Sequence, residues 1–105
     1  MDVLDQAPAV TADARAEIAD LFHLLGDPTR LGIVYVCLTT PCSAGAIADA
    51  MGISAQLASH HLRLLKAARI VRAERRGRHI YYVAADAHIR RILIDMAEHA
   101  SEPTS

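Results

Sequence analysis

Apolar residues spaced three and four positions apart predict helices near both ends of the chain. The first predicted helix begins at Thr11 and ends at Gly26, which suits the left-handed position after a last helical turn. Its apolar face is formed by Ile18, Leu21, Phe22 and Leu25. The last predicted helix follows Asp86, a good N-cap residue. Its apolar face is formed by Ile89, Ile92, Leu93, Met96 and Ala100.

Three shorter helices are predicted between these two. Asp27-Pro28 begins the second helix, which stops before Pro41. Ser43 caps a third helix that closes at Gly52, and Ser54 caps a fourth. Two helices joined by such a short turn have the size of a helix-turn-helix, whose second helix enters the major groove of DNA. The side chains expected to face inward from this fourth helix are Leu57, Leu62, Leu64 and Leu65.

After Arg69 the helical spacing gives way to short β-type segments. Residues 70–74 and 79–83 are rich in Ile, Val and Tyr, and they flank the sequence Arg75-Arg76-Gly77-Arg78. Gly77 tolerates the positive φ that a tight hairpin turn needs. The predicted fold is therefore mainly α with a small β-hairpin, a winged helix-turn-helix.

Length and composition fit one small domain. We expect a flexible N-terminal arm at residues 1–10, a folded domain at 11–102 and a tail at 103–105. The acidic N-terminus lacks the apolar core of a signal peptide, and the longest apolar run, 33–38, is too short to cross a membrane. Two cysteines without an export signal suggest reduced thiols, so we expect a cytoplasmic protein with no membrane partner.

Charge is distributed unevenly along the chain. Residues 1–27 hold six acids and one base, whereas residues 63–78 hold seven bases and one acid, Glu74. Such asymmetry indicates a polyanionic partner on one surface, although a solvated, salt-bridged face is the alternative.

The predicted fourth helix and hairpin together suggest an interface with double-stranded DNA. Gln, Ser and Arg side chains can read base edges in the major groove, and hairpin arginines fit a narrow minor groove. The candidates on the helix are Ser54, Gln56, Ser59, His60 and Arg63. Those on the hairpin are Arg72, Arg75, Arg76, Arg78 and His79. His61 is expected to contact phosphate or pack against the hairpin. An ordinary solvent face and a protein-interaction module are the alternatives, and no catalytic constellation indicates an enzyme.

Four segments in this order resemble the ArsR/SmtB family of metal-sensing repressors. They are residues 24–31 (LLGDPTRL), 53–63 (ISAQLASHHLR), 77–82 (GRHIYY) and 86–88 (DAH). The resemblance covers roughly residues 17–102. It implies a homodimer with the first and last helices at the interface. It also implies repression of an operator beside a metal-export or detoxification gene, relieved when the inducer binds.

The last predicted helix carries metal-binding side chains at both ends: Asp86 and His88, then His99 and Glu102. His88 and His99 are separated by roughly 16 Å along one helix, whereas zinc–nitrogen bonds are only about 2 Å long. One chain therefore cannot bring all four groups to one ion, but two helices packed antiparallel across a two-fold axis can. The spacing matches the last-helix sensor site of zinc-responsive members of the family. Two imidazoles and two carboxylates favour Zn(II), then Co(II), with Ni(II) a weaker candidate.

Simpler roles exist for some of these residues, and the cysteines offer a different switch. Asp86 is explained by N-capping alone, and His99 by the negative end of the helix dipole. Cys37 and Cys42 are close in sequence, so a redox-responsive repressor is the alternative function.

Overall fold

The computed structural model describes residues 8–103, which form five helices and three short strands. Most of the predicted arm (1–7) and tail (104–105) lies outside this range. None of the described helices is long and apolar enough to span a membrane. The elements are α1 (Ala12–Leu25), α2 (Pro28–Val36), β1 (Cys42–Ser43), α3 (Ala44–Met51), α4 (Ala55–Ala67), β2 (Val71–Arg76), β3 (His79–Ala84) and α5 (Ala87–Ser101).

Side-chain caps start all five helices: Thr11 caps α1, and the other four caps are the predicted ones. Each capping oxygen accepts a hydrogen bond from the backbone N–H three residues on, at 2.9–3.1 Å, and so satisfies a helix end that would otherwise lack a partner. The four predicted caps are Asp27, Ser43, Ser54 and Asp86. The backbone conformation of Gly26 differs from the prediction, because its φ is −72° and not positive. The Gly26 N–H donates to the His23 carbonyl and closes a tight turn, so the chain leaves α1 without a left-handed residue.

A three-stranded antiparallel sheet in the order β1-β3-β2 replaces the two-stranded hairpin of the prediction. The β2–β3 hairpin, here called the wing, pairs from Val71 with Ala84 to Arg76 with His79. Its turn contains Gly77 at φ +64°, as expected. Arg76 was predicted in the turn, but cross-strand pairing extends β2 through this residue. The two-residue strand β1 pairs Cys42 with Tyr82 and ties the start of α3 to the wing.

The core forms between α2, α3, α4 and the base of the wing. Its fully buried side chains are Ile33 and Val34 on α2, Cys37 at the C-cap of α2, Ile47 on α3, Leu62 and Leu65 on α4, and Ile70 and Val71 entering the wing. On α4 the prediction of the inward face was partly wrong, since Leu57 is 42% exposed and Leu64 36% exposed. The helix instead buries positions 58, 61, 62 and 65, which follow the three-and-four spacing of a single face.

Helices α1 and α5 are the least buried of the five helices. Of the described residues, α1 has no fully buried side chain and α5 has only Leu93. The Tyr35 hydroxyl fixes α5 to α2 by donating to the Leu93 carbonyl at 2.7 Å. Both helices therefore leave apolar side chains uncovered in the single chain: Ile18, Phe22, Ile92 and Met96 are 42–61% exposed.

Candidate DNA interface and metal site

Helix α4 presents the predicted polar face to solvent. Gln56, Ser59, His60 and Arg63 are all exposed. Ser54 is exposed as well, but its oxygen already accepts a hydrogen bond from the Leu57 N–H as the helix cap. This face can therefore approach base edges, because no described side chain covers it.

The predicted cationic residues of the wing are also exposed, although two of them have a carboxylate partner. Glu74 lies between Arg72 and Arg76 on one face of β2 and contacts both, with N···O distances of 2.9 Å and 3.0 Å. Arg75 donates from Nε to the Gly77 carbonyl at 3.2 Å, and this bond stiffens the turn. Arg78 and His79 at the tip are open to solvent.

Arg76 has a third contact within the wing. Its guanidinium carbon lies 5.4 Å from the centre of the Tyr81 ring, a distance at which a cation is attracted to the ring face. Tyr81 is the cross-strand partner of Glu74. Arg76 is thus held by a carboxylate and an aromatic ring on the same face of the hairpin.

His61 is buried, contrary to its predicted contact with phosphate; its other predicted role, packing against the wing, stays a prediction. Only 9% of its surface is exposed, and its Nδ1 atom has no hydrogen-bond partner among the described residues. Burial lowers the pKa of His61, and the nearby Arg30 guanidinium and His60 act in the same direction, whereas the Asp27 carboxylate opposes them. His61 therefore lies near Asp27 and Arg30 at the start of α2, and its burial leaves it unavailable to phosphate.

The predicted metal-binding side chains form two pairs at opposite ends of α5. At its start, His88 Nδ1 lies 3.6 Å from Asp86 Oδ1 and both side chains are open to solvent. A hydrogen bond from the Ile89 N–H, with the neighbouring His88, lowers the pKa of Asp86, which keeps the carboxylate ionised and able to bind a cation. At its end, His99 is in the last turn and Glu102 is the C-cap residue, both exposed.

Within one chain the two pairs do not meet. No group of three His, Cys, Asp or Glu side chains in residues 8–103 is arranged to hold a metal ion. Each pair nevertheless offers one imidazole and one carboxylate to solvent, a donor set that fits a zinc-type divalent ion. If the two pairs bind the same ion, as predicted, the donors must come from two chains.

The cysteines have different environments. Cys37 is fully buried, and burial raises the pKa of its thiol to about 12. Cys42 is half-buried, and its thiol donates weakly to the Val36 and Thr40 carbonyls. Because the thiolate is the reactive form, Cys37 is poorly suited to redox chemistry in the folded protein.

Comparison with known proteins identifies the family. Residues 25–74 match a helix-turn-helix domain family. The HTH-type transcriptional repressor SmtB of Mycobacterium tuberculosis is 34% identical over 105 aligned residues, covering 96% of this chain and 78% of that protein. The chain belongs to the ArsR/SmtB family. Members of the ArsR/SmtB family regulate transcription and are not enzymes. This confirms the predicted family and the prediction that the protein is not an enzyme.

Solved structures of ArsR/SmtB-like proteins share the whole architecture. A homodimeric winged helix-turn-helix DNA-binding domain from Mycobacterium bovis, described as a possible ArsR-family regulator, aligns with TM-score 0.78 and 28% identity over 90% of this chain and 92% of that one. The antimony-specific transcriptional repressor AntR aligns with TM-score 0.78 and 27% identity over 98% of this chain and 96% of that one. The winged-helix prediction is confirmed.

Two features of the site were missed from the sequence. Leu57 was placed in the core because it is apolar, yet it lies on the exposed side of α4 beside Gln56. Glu74 was counted only as the single acid of a basic segment. Its position two residues from both Arg72 and Arg76 was a usable signal, because alternate residues of a strand share a face.

Proposed function

We propose that this protein is a homodimeric transcriptional repressor of the cytoplasm that binds double-stranded operator DNA in its metal-free form. Zn(II), or else Co(II) or Ni(II), binds at two equivalent sites between the subunits and releases the DNA. The observation that carries the proposal is the placement of one imidazole–carboxylate pair at each end of α5, too far apart to act within one chain.

The DNA-binding part of the proposal is supported by the exposed polar face of α4 beside an arginine-rich wing. In winged helices the second helix of the helix-turn-helix enters the major groove. Gln56 can bond adenine through two hydrogen bonds, and Arg63 can bind guanine or phosphate. The arginines of the wing supply attraction to the phosphate backbone.

The dimer is supported by the uncovered apolar face of α1 and α5. A cavity of about 220 Å³ opens between these helices. Its lining is entirely apolar and consists of Ile18, Leu21, Phe22, Leu25, Ile89, Ile92 and Leu93. Apolar surface of this kind is usually covered by another protein chain, and the solved M. bovis relative is homodimeric.

The metal-binding step follows from antiparallel pairing of two copies of α5. Asp86 and His88 would then face the partner's His99 and the partner's Glu102, and symmetry would repeat the site once. A bound ion links the two subunits and favours one arrangement of them. Because both copies of α4 must match the spacing of two half-sites, an arrangement that changes their separation weakens DNA binding.

The proposal is tested by titrating labelled promoter DNA with metal-free protein and repeating the titration with each metal. We expect tight binding without metal and release with Zn(II). His99→Ala should bind DNA normally without metal and lose the release, whereas His23→Ala, which removes an exposed histidine of α1, should respond like the wild type. A normal zinc response in His99→Ala would reject the α5 site.

A further inference from the structure

The wing contains a carboxylate in the middle of its cationic face. Glu74 is half-buried, with its side chain 24% exposed, and it contacts Arg72 on one side and Arg76 on the other. The two arginine side chains remain 54% and 62% exposed. One negative charge therefore sits between two guanidinium groups that are still accessible to a phosphate.

We infer that Glu74 limits DNA binding, because its carboxylate competes with DNA phosphates for Arg72 and Arg76. This inference rests on the proposed function, because it assumes that the wing contacts DNA. Beyond that function, the inference assigns to an acidic residue of the wing a role that opposes DNA binding.

The geometry favours competition at Arg76 in particular. The side chain is held by the Glu74 carboxylate at 3.0 Å and lies over the Tyr81 ring. A phosphate that recruits the guanidinium must replace a charge-assisted hydrogen bond that already exists. Without the carboxylate, the ring still holds Arg76 at the wing surface, but the charge of Arg76 is no longer compensated.

Competition of this kind acts on the phosphate contacts that both modes of DNA binding share. Sequence-independent binding depends almost entirely on phosphate contacts, whereas operator binding also uses base contacts from α4. A random-sequence duplex therefore reports the effect of Glu74 on phosphate binding without a contribution from base contacts.

The test compares the wild type, Glu74→Gln and Glu98→Gln without metal on a random-sequence duplex over a range of salt concentrations. Glu98→Gln removes the same charge from an exposed position of α5, far from the wing in sequence. In Glu74→Gln one further phosphate contact per wing, or two per dimer, should steepen the slope of log K against log salt by about 1.8. The affinity gain should vanish near 1 M salt and reach about 60-fold per dimer at 0.1 M.

Two further measurements separate charge competition from a change in folding. Thermal unfolding of Glu74→Gln should resemble that of the wild type, and adding Arg76→Gln to Glu74→Gln should remove the extra slope. If the wild type binds DNA and Glu74→Gln has the affinity and slope of Glu98→Gln, the inference is overturned while the proposed function stands. Weaker binding by Glu74→Gln would also overturn the inference. A wild-type protein without salt-dependent DNA binding would refute both.

Discussion

The salt dependence of DNA binding follows from the number of arginines that are free to meet phosphates. On α4 and the wing, Arg63, Arg75 and Arg78 are exposed and have no carboxylate partner among the described residues, unlike Arg72 and Arg76. Three such groups on each subunit of a dimer would neutralise about six phosphates. The slope of log K against log salt should then be about −5, and the affinity should fall roughly 10³-fold between 50 and 200 mM salt.

The replacement Arg78→Gln tests this count at the tip of the wing. It removes one contact per subunit, so the slope should become shallower by about 1.8. Fluorescence anisotropy of labelled duplex DNA at several salt concentrations measures the slope directly. The control is Arg91→Gln, which removes the same charge from an exposed position of α5. An unchanged slope in Arg78→Gln, or an equal change in both variants, would refute the assignment of the wing to DNA.

Three further predictions concern stability, assembly and thiol chemistry. His61→Leu should raise the free energy of unfolding by about 1 kcal/mol, because it removes a buried nitrogen without a partner. Since burial lowers the pKa of His61, the unfolded chain binds the proton more readily, and wild-type stability should fall below about pH 6.5 more than that of His61→Leu in chemical denaturation. Ile92→Asp should yield monomers in sedimentation, whereas Ile94→Asp on another side of α5 should not; monomers from both would remove the proposed interface. Iodoacetamide should alkylate Cys42 but not Cys37 in the folded protein, as mass spectrometry can show, and rapid reaction of Cys37 would revive the redox alternative.

Features with a local cause were predictable from the sequence. The caps Asp27, Ser43, Ser54 and Asp86 each act on a backbone N–H three residues away, so the required information lies within one turn. The turn at Gly77 likewise depends on one backbone conformation. The order of helices and wing followed from these local signals.

Features that depend on tertiary contacts were not predictable in the same way. The strand β1 has only two residues and exists because Cys42 lies beside Tyr82 of β3, a pairing that no local pattern encodes. The inward face of α4 depends on the neighbours that pack against it, so the apolar Leu57 was misplaced and the burial of His61 was left undecided. The metal site has a further limit, because its four donors meet only if two chains assemble.

The central claim is that each metal site is shared between two subunits, and mixed dimers test it most directly. His88→Ala and His99→Ala should each abolish tight Co(II) binding in their own homodimers. When the two variants are unfolded together and refolded in equal amounts, about half of the dimers contain one of each, and each mixed dimer regains one intact site. The account predicts about one quarter of the wild-type Co(II) absorption per chain in the mixture. No recovery on mixing, or full binding by either variant alone, would contradict it.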